Sequence, residues 1–288
     1  YLLARDTESF KTEVPHLAKN PCVNLIQQDV RHLSELPKDV NYVINAAGSP
    51  DRMEHASKPL STIDTFYKGT NSVLEECFRL PGLHKIIHLS SNYVYGSLNN
   101  DKIKETDMGT LDCNSINATY GEIKRMTETL CAVYGNQQHL PITIVRPFAF
   151  VGPYQKLEKP WAINNFIRDA IHGGPIKILG NGNTQRSYLY GSDLAFWLLK
   201  LLAKGKTDTV YNVGSANSIS LKDLAESIKN IVDKKLEVIE RSSKEVYNQT
   251  SKSTPDLSLI IKDTQVKENY TLTEALEHTV NWNKLMKK

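Results

Sequence analysis

Tyr120 and Lys124 are the residues of this 288-residue sequence best suited to acid–base chemistry. Positions four apart lie on the same face of a helix, so the two side chains project together if this segment is helical. A nearby ammonium favours the phenolate and lowers the pKa of a tyrosine. Such a phenol can take a proton from a hydroxyl group while a hydride leaves the same carbon. The spacing also arises by chance, and the alternative is a surface Tyr–Lys pair on an exposed helix face.

A second candidate, Ser91, stands about thirty residues earlier, in a segment that reads Ser-Ser-Asn-Tyr-Val-Tyr-Gly over residues 90–96. The segment directly follows an apolar run typical of a buried strand. Residues at the carboxyl end of a parallel strand face the ligand crevice of an open α/β sheet. Ser91 is therefore placed to donate a hydrogen bond to a substrate oxygen that gains charge. The alternative is that Ser90 and Ser91 only begin a turn.

The segments that position these residues alternate between strand-like and helix-like patterns. Short apolar or β-branched runs, typical of parallel strands buried on both faces, occupy residues 1–4, 23–26, 42–44, 85–89 and 142–145. Two longer segments, 61–80 and 118–134, carry apolar side chains at helical spacing. In the first segment these are Ile63, Phe66, Val73, Leu74 and Cys77. The alternation predicts an α/β fold with a doubly wound parallel sheet and right-handed crossovers.

The second half of the chain is less regular. Its patterns predict helices over residues 161–172, 192–202, 221–232 and 272–285, and strands over 175–179 and 210–213. Ser220 is the predicted N-cap of the third of these helices, and Asp193 is predicted to cap the second and to tie two lobes together. The mixture suggests a smaller lobe built from the C-terminal third and from an insertion after Arg146.

The composition excludes several classes of function. Hydrophobic residues make up 40% of the chain and charged residues 23%, which is ordinary for a soluble globular protein. A net charge of +3 is too small to indicate a nucleic-acid or membrane partner, and no apolar stretch approaches the ~20 residues that span a bilayer. The four cysteines form no CxxC pair and lie near no metal-like histidine spacing. We therefore expect no metal site, no nucleic-acid partner and no membrane partner.

The order of the motifs resembles the extended short-chain dehydrogenase/reductases, which include sugar-nucleotide 4-epimerases, 4,6-dehydratases, decarboxylases and reductases. These proteins carry SSxxVYG after a strand and YxxxK on the following helix. Further segments similar to the family follow in the right order at residues 27–31, 45–48, 146–153, 180–195 and 211–214. The resemblance implies a Rossmann-like NAD(P)-binding domain over residues 1–148, completed by about 187–214. A smaller mixed α/β C-terminal substrate lobe would comprise residues 149–186 and 215–288.

The resemblance also implies roles for individual residues. Tyr120 would be the acid/base, Lys124 would lower its pKa and hold the nicotinamide ribose, and Ser91 would position the sugar hydroxyl. Arg186 would clamp the diphosphate of a nucleoside-diphosphate sugar, since a planar guanidinium matches phosphate oxygens; a surface salt bridge is the alternative. The other residues implied at the cofactor, NAD or NADP, are Arg5, Asp29, Val30, Ala46, Ala47, Gly48 and Pro147. The others implied at the substrate are Asn92, Tyr93, Phe148 and Ala149.

The sequence departs from the family pattern in four places. The glycine-rich turn after the first strand is missing, and we expect an N-terminal piece that carries it. Arg5 and Asp6 both stand at the tip of the second strand of the pattern, which leaves NAD and NADP open. Asn92 and Tyr93 stand where the 4,6-dehydratases usually carry an acidic pair, which favours an epimerase or a reductase. Ala149 stands where the family often has an asparagine, so the sugar is not identified.

The activity most favoured by these features is C4 epimerisation of a nucleoside-diphosphate sugar through a 4-keto intermediate. A 4,6-dehydratase and a 4-keto-sugar reductase are alternatives within the family. A non-catalytic cofactor-binding scaffold is an alternative of another class, and the intact Ser91, Tyr120 and Lys124 argue against it. The resemblance further implies a cytoplasmic homodimer formed through the helices at 61–80 and 118–134, and a setting in polysaccharide biosynthesis.

Overall fold

The computed structural model describes residues 1–98, 100–240 and 251–286. Strands and helices alternate through its first half, as the sequence predicts. The strands are β1 (Leu2–Ala4), β2 (Leu25–Gln27), β3 (Tyr42–Asn45), β4 (Lys85–Leu89), β5 (Ile142–Pro147), β6 (Phe150–Val151), β7 (Ile176–Ile178), β8 (Gln185–Ser187), β9 (Leu189–Tyr190), β10 (Thr209–Val213), β11 (Ser218–Ser220), β12 (Val238–Glu240) and β13 (Lys252–Ser253). The helices are α1 (Thr7–Glu13), α2 (Pro15–Ala18), α3 (Arg52–Ser57), α4 (Pro59–Phe78), α5 (Thr119–Gln138), α6 (Ala162–Ile171), α7 (Gly191–Lys204), α8 (Leu221–Val232), α9 (Ser258–Thr264) and α10 (Leu272–Met286).

A parallel sheet of four strands in the order β10-β5-β4-β3 forms the centre of the first half. Helix α4 connects β3 to β4, and α5 connects β4 to β5, because parallel neighbours require a crossover connection. Strands β1 and β2 pair in parallel in a separate sheet. The predicted α/β fold with a parallel sheet is therefore confirmed.

The middle of this sheet is buried and its edge is not. Ile86, Ile87 and Val145 on β4 and β5 have no exposed surface, and full burial of a side chain of this size stabilises the fold by about 1.5–3 kcal/mol. The prediction of burial on both faces is wrong for β3, where Tyr42 is 53% and Ile44 40% exposed. Strand β3 is one edge of this sheet, whereas β10 at the other edge is covered by the apolar cluster that contains Trp197 and Ile260.

Helices α4 and α5 pack against each other and against the central sheet. Four of the five apolar positions predicted for the inner face of α4 are buried, namely Phe66, Val73, Leu74 and Cys77. The fifth prediction is wrong, because Ile63 is 43% exposed and lies on the outer face with Leu60 and Tyr67.

A second apolar core lies in the C-terminal half, where α6, α8 and α10 pack together and α6 and α8 contact β7. Ser220 caps α8 as predicted, since its hydroxyl oxygen accepts a hydrogen bond from the Asp223 backbone N–H at 3.0 Å. No helix of the described ranges combines the length and the apolar character needed to cross a membrane.

The predicted capping role of Asp193 is wrong. Helix α7 begins two residues earlier, at Gly191, and has no side-chain cap. The buried carboxylate of Asp193 instead accepts hydrogen bonds from the backbone N–H groups of Asn269 and Tyr270 and from the Asn269 side-chain amide. It therefore anchors the segment that leads into α10.

Candidate active site

Ser91 lies two residues beyond the carboxyl end of β4 and begins a short 3-10 turn over Asn92–Tyr95. Its hydroxyl oxygen accepts a hydrogen bond from the Tyr93 backbone N–H at 3.2 Å, and its side chain is buried. The residue thus begins a turn, but its hydroxyl also lies close enough to the Tyr120 phenol to lower the pKa of that phenol. The structure therefore brings Ser91 and Tyr120 together.

Tyr120 lies in the first turn of α5, and three aromatic rings surround its own. The His55 imidazole is stacked on it, with ring centroids 4.3 Å apart and planes 7° apart. Phe66 and Tyr93 meet the ring edge-on, with centroid distances of 5.7 and 5.4 Å. The phenol is therefore held in a partly enclosed site with Tyr93 beside it, and the substrate role of Tyr93 stays a prediction.

The expectation that Lys124 lowers the pKa of Tyr120 is wrong for this geometry. Burial raises the pKa of Tyr120 above 10, and the Tyr93 phenol adds to the rise, while the hydrogen bond with Ser91 opposes both. The Lys124 ammonium lies 5.9 Å from the Tyr120 ring centroid and donates a hydrogen bond to the Leu89 carbonyl at 2.8 Å. Tyr120 is therefore a neutral phenol at pH 7 in this arrangement.

Lys124 is itself a perturbed group. It is buried beneath the Phe66 ring, and this burial lowers the pKa of its ammonium to about 8, although the Glu128 carboxylate opposes the shift. A lysine with a pKa near 8 exchanges its proton close to neutral pH, which is unusual outside functional sites.

A cleft of about 350 Å³ opens where β1, β2 and β3 end and α4 begins. Its walls include five of the residues predicted to contact a cofactor, namely Arg5, Asp29, Val30, Ala47 and Gly48. Ala46 and Pro147, also predicted at the cofactor, are not among the residues that line this cleft. His55 and Phe66 line it and contact the Tyr120 ring, so the cleft leads directly to the Tyr120 site.

Two features of the cleft walls matter for ligand binding. The Asp29 carboxylate accepts hydrogen bonds from Arg31 Nε at 3.0 Å and Nη2 at 2.7 Å, and these bonds hold the pKa of Asp29 far below its usual range. Gly48 has a φ of +122°, and a Cβ there would lie 2.2 Å from the Phe66 ring. The backbone at residue 48 thus tolerates glycine alone.

Arg186 lies on β8, close to the aromatic residues of the Tyr120 site. Burial lowers the pKa of its guanidinium, and the neighbouring Tyr188 and Tyr93 oppose this shift. The guanidinium donates to the Gln185 carbonyl at 2.7 Å and to the carbonyl and hydroxyl of Ser251. In the part of the chain that the structure describes, it forms no ion pair with a carboxylate. The salt-bridge alternative therefore has no support there, and the diphosphate role stays a prediction.

Asn92, Phe148 and Ala149 occupy different surroundings. The Asn92 amide donates to the Ser253 hydroxyl at 3.0 Å, which joins the turn after β4 to β13. Phe148 is buried beside Tyr95, and the Ala149 carbonyl accepts a hydrogen bond from a strand backbone. The substrate roles of these three residues stay predictions.

Sequence reasoning missed His55 and Phe66, the two side chains that join the cleft to Tyr120. Both follow β3, whose carboxyl end was already predicted to lie against the cofactor. His55 lies within α3 and Phe66 within α4, however, so neither directly follows the end of the strand and no local signal marks them. Neither residue type identifies a site by itself.

Comparison with known proteins gives the family. Residues 1–214 match the profile of the NAD dependent epimerase/dehydratase family. The chain is 26% identical over 268 residues to a UDP-N-acetyl-alpha-D-glucosaminuronate decarboxylase of Bacillus cytotoxicus, with 91% of this chain and 82% of that protein covered. It is 27% identical over 271 residues to UDP-glucuronic acid decarboxylase 1 of Arabidopsis thaliana, where the match covers 94% of this chain and spans 61% of the relative's length.

Solved structures share the fold. A UDP-glucuronic acid 4-epimerase from Bacillus cereus, crystallised with UDP-glucuronic acid and NAD, superposes with a TM-score of 0.84 at 24% identity, over 97% of this chain and 87% of that one. The similarity extends through both halves of the chain, and the family match covers the segment that carries Ser91, Tyr120 and Lys124. The chain belongs to the NAD-dependent epimerase/dehydratase family.

Proposed function

We propose that this protein epimerises C4 of a UDP-sugar with bound NAD, through a 4-keto intermediate. The observation that carries the proposal is the proximity of the Ser91 hydroxyl to the Tyr120 phenol at the carboxyl end of β4, with Lys124 one helical turn further on. These are the three side chains that the family resemblance implies for the reaction centre. The likeness to the Bacillus cereus UDP-glucuronic acid 4-epimerase supports this choice of reaction.

The cleft beside Tyr120 fits a dinucleotide. It lies at the carboxyl ends of parallel strands, where such ligands bind in α/β folds, and Gly48 leaves its backbone bare at the cleft wall. Arg5, Asp29, Val30, Ala47 and Gly48 would hold the cofactor there. The chemistry that NAD supplies when bound is reversible hydride transfer at C4 of the sugar.

The protein's own part in the reaction is to place the sugar and to move one proton. Tyr120 acts as the phenolate in this step: it accepts the O4 proton as the C4–H bond is broken, and it returns the proton after the keto sugar has turned over. Ser91 donates a hydrogen bond that stabilises the phenolate and orients O4. The Lys124 ammonium lies 5.9 Å from the ring, and its proposed part is to hold the nicotinamide ribose.

Arg186 is the group proposed to bind the substrate diphosphate. Its guanidinium is free of carboxylate partners among the described residues, and it lies near Tyr93, which contacts Tyr120. A diphosphate bound by Arg186 would thus lie near Tyr93, whose ring contacts that of the catalytic phenol. This arrangement suits a substrate with a sugar at one end and a diphosphate at the other.

Decarboxylation of a UDP-uronic acid is the second candidate, and the relatives at 26–27% identity favour it. Oxidation at C4 makes the C6 carboxylate part of a β-keto acid, which loses CO₂ readily. Both reactions therefore start with the same Tyr120-dependent step. The epimerase reduces the 4-keto sugar with its carboxylate retained, whereas the decarboxylase loses CO₂ from the 4-keto sugar.

Product analysis of the full-length protein distinguishes these functions. UDP-glucuronic acid, UDP-glucose and UDP-N-acetylglucosamine are each incubated with NAD⁺ and followed by ¹H NMR. A C4 epimer without net NADH supports the proposal, while CO₂ with a UDP-pentose identifies a decarboxylase. A 4-keto-6-deoxy sugar identifies a dehydratase. NADPH consumption with a 4-keto substrate identifies a reductase, and no turnover with any of them favours a scaffold.

We also propose a homodimer formed through α4 and α5. These helices carry exposed apolar side chains at Ile63, Tyr67, Met126 and Val133, which a partner helix pair would cover. Light scattering of the full-length protein is expected to give twice the mass of one chain, and a Met126→Glu substitution is expected to give monomer. A monomeric wild-type protein would contradict this assembly.

The division of the chain into two domains and the cellular location of the protein are also proposals. Residues 1–148 with about 187–214 would bind the cofactor, and residues 149–186 and 215–288 would bind the sugar nucleotide. The apolar core of α6, α8 and α10 supports a separate second lobe. A cytoplasmic location suits an enzyme that uses NAD and a UDP-sugar, and fractionation of cells that express the tagged full-length protein tests it.

A further inference from the structure

The imidazole of His55 stands between the Tyr120 phenol and the cleft. His55 belongs to α3 and is 4% exposed, and it lies flat on the Tyr120 ring while also lining the cleft wall. Nothing in the acid–base chemistry assigned to Ser91, Tyr120 and Lys124 requires a histidine at this place. Its two ring nitrogens therefore need a separate account.

The hydrogen bonds around His55 define which nitrogen carries the proton. The Thr62 hydroxyl donates its single hydrogen to the Lys58 carbonyl at 3.1 Å. Since that hydrogen is committed, the Thr62 oxygen acts as an acceptor toward His55 Nδ1, which lies 3.2 Å away. The proton of a neutral imidazole therefore sits on Nδ1, and Nε2 presents a lone pair.

Nε2 is buried and has no hydrogen-bond partner among the described residues. A hydrogen-bond acceptor that is buried without a donor costs free energy. We therefore expect a bound ligand to supply the hydrogen-bond donor to Nε2. Burial is the main reason that the ring stays neutral. Burial lowers the pKa of His55 and the Lys124 ammonium lowers it further, while Glu54, Asp51 and the Ser49 carbonyl oppose the shift.

We propose that His55 is a cofactor-binding residue, and that its Nε2 accepts a hydrogen bond from a hydroxyl of the ribose that carries the nicotinamide. The inference rests on the proposed function for the identity of the ligand. A neutral Nε2 with a lone pair requires a donor, which a ribose hydroxyl supplies and a phosphate oxygen does not. The stacking on Tyr120 places this contact at the reacting end of the cleft rather than at the end lined by Arg5 and Asp29.

Binding of two nucleotides to the full-length protein tests the assignment. NAD⁺ contains the nicotinamide ribose and ADP lacks it. We expect His55→Phe, which keeps a flat ring against Tyr120, to weaken NAD⁺ binding about tenfold in calorimetry and to leave ADP binding unchanged, since one hydrogen bond is lost and its donor is left unpaired. His55→Gln, which retains an acceptor oxygen, is expected to recover part of the loss.

His84→Phe is the matched control, because His84 is an exposed histidine that also contacts an aromatic ring, that of Tyr42, away from the cleft. It is expected to bind both nucleotides like the wild type. Equal NAD⁺ affinity in wild type and His55→Phe would overturn the role of His55 while leaving the proposed function intact. Failure of the wild type to bind NAD⁺ at all would overturn both.

Imidazole ¹⁵N NMR of the wild type requires no turnover, and it tests the role of His55 Nε2 even if the His55→Phe variant folds poorly. At pH 7 we expect His55 to show a protonated Nδ1 and an unprotonated Nε2, and the Nε2 resonance to move upfield when NAD⁺ is added but not when ADP is added. A proton on Nε2 in the free protein, or no response to NAD⁺, would contradict the proposal.

Discussion

The ammonium nitrogen of Lys124 lies 4.4 Å from the centre of the Phe66 ring, in a site from which water is excluded. A carbonyl and an aromatic face compensate for part of the lost hydration, but burial still lowers the pKa of this lysine to about 8. Holding the charge there opposes folding at pH 7. Retention of a group that destabilises the fold is expected when the group serves the reaction.

Replacement of Lys124 by methionine is therefore expected to stabilise the protein while abolishing turnover. Methionine fills a similar volume without a charge. Since burial lowers the pKa of Lys124 from 10.5 to about 8, removing the charge is expected to raise the free energy of unfolding at pH 7 by about 3 kcal/mol at most. Between pH 8 and 10.5 the unfolded chain binds the proton and the folded one does not, so the wild type gains stability as pH rises. The difference in free energy of unfolding between Lys124→Met and the wild type should thus become smaller as pH rises from 8 to 10.5.

Chemical denaturation at pH 7 and pH 10 measures this effect. The exposed Lys177 on β7 provides the control, and Lys177→Met is expected to change the free energy of unfolding by less than about 0.5 kcal/mol. A Lys124→Met protein less stable than the wild type at pH 7 would show that the ammonium supports the fold rather than the reaction.

Tyr120→Phe is expected to lower kcat by at least about a hundredfold, the usual size of a general acid–base contribution, and to leave NAD⁺ affinity close to that of the wild type. Initial rates of product formation and calorimetry measure the two quantities. Tyr134→Phe on the same helix removes a hydroxyl that donates to Asn71 at 3.1 Å and should retain full activity. Turnover by Tyr120→Phe at the wild-type rate would remove the phenol from the mechanism.

Arg186→Ala is expected to weaken binding of UDP more than tenfold, because a bidentate contact between a guanidinium and a phosphate is a strong charge-assisted interaction. NAD⁺ affinity should not change, and titration calorimetry with each nucleotide separates the two sites. Arg79→Ala, at the exposed end of α4, serves as control. Loss of NAD⁺ binding with unchanged UDP binding would place Arg186 at the other ligand.

Glu128→Gln is expected to destabilise the fold by about 3 kcal/mol, because it leaves the Arg146 guanidinium buried without its counter-charge. The two side chains are 12% and 8% exposed and are joined by two hydrogen bonds of 2.9 and 2.7 Å. The partly exposed pair of Glu226 and Lys229 gives the comparison, and Glu226→Gln should cost less than about 1 kcal/mol. Equal effects in urea denaturation would contradict the argument.

Much of this fold can be predicted from the sequence, because buried faces of strands and helices require apolar residues at regular spacing. Strands β4 and β5 are short, mostly apolar runs because their central residues are buried. Ser220 marks the start of α8 through local hydrogen bonding alone. Ile63 was misplaced because helical spacing does not distinguish the inner face of α4 from its flank. Asp193 was misread because its partners at 269 and 270 are distant in sequence.

In the site too, features that depend on local sequence could be predicted, and features that depend on tertiary contacts could not. Ser91, Tyr120 and Lys124 could be located because their spacing and their place after a strand are local features. The pKa of Tyr120 could not be predicted from the sequence, because it depends on how three aromatic rings from distant segments exclude water. His55 and Phe66 were missed for the same reason: their importance comes from tertiary contact with Tyr120, and no local pattern encodes it.

Retention of a label at C4 tests the central claim most directly. A UDP-hexuronic acid deuterated at C4 is incubated with the full-length protein and catalytic NAD⁺ in ordinary water, and the products are examined by mass spectrometry and NMR. If Tyr120 moves only the O4 proton while the hydride leaves and returns to the same carbon, the epimer carries deuterium at C4. Deuterium lost to solvent from C4, or an epimer formed equally by Tyr120→Phe, would contradict the mechanism.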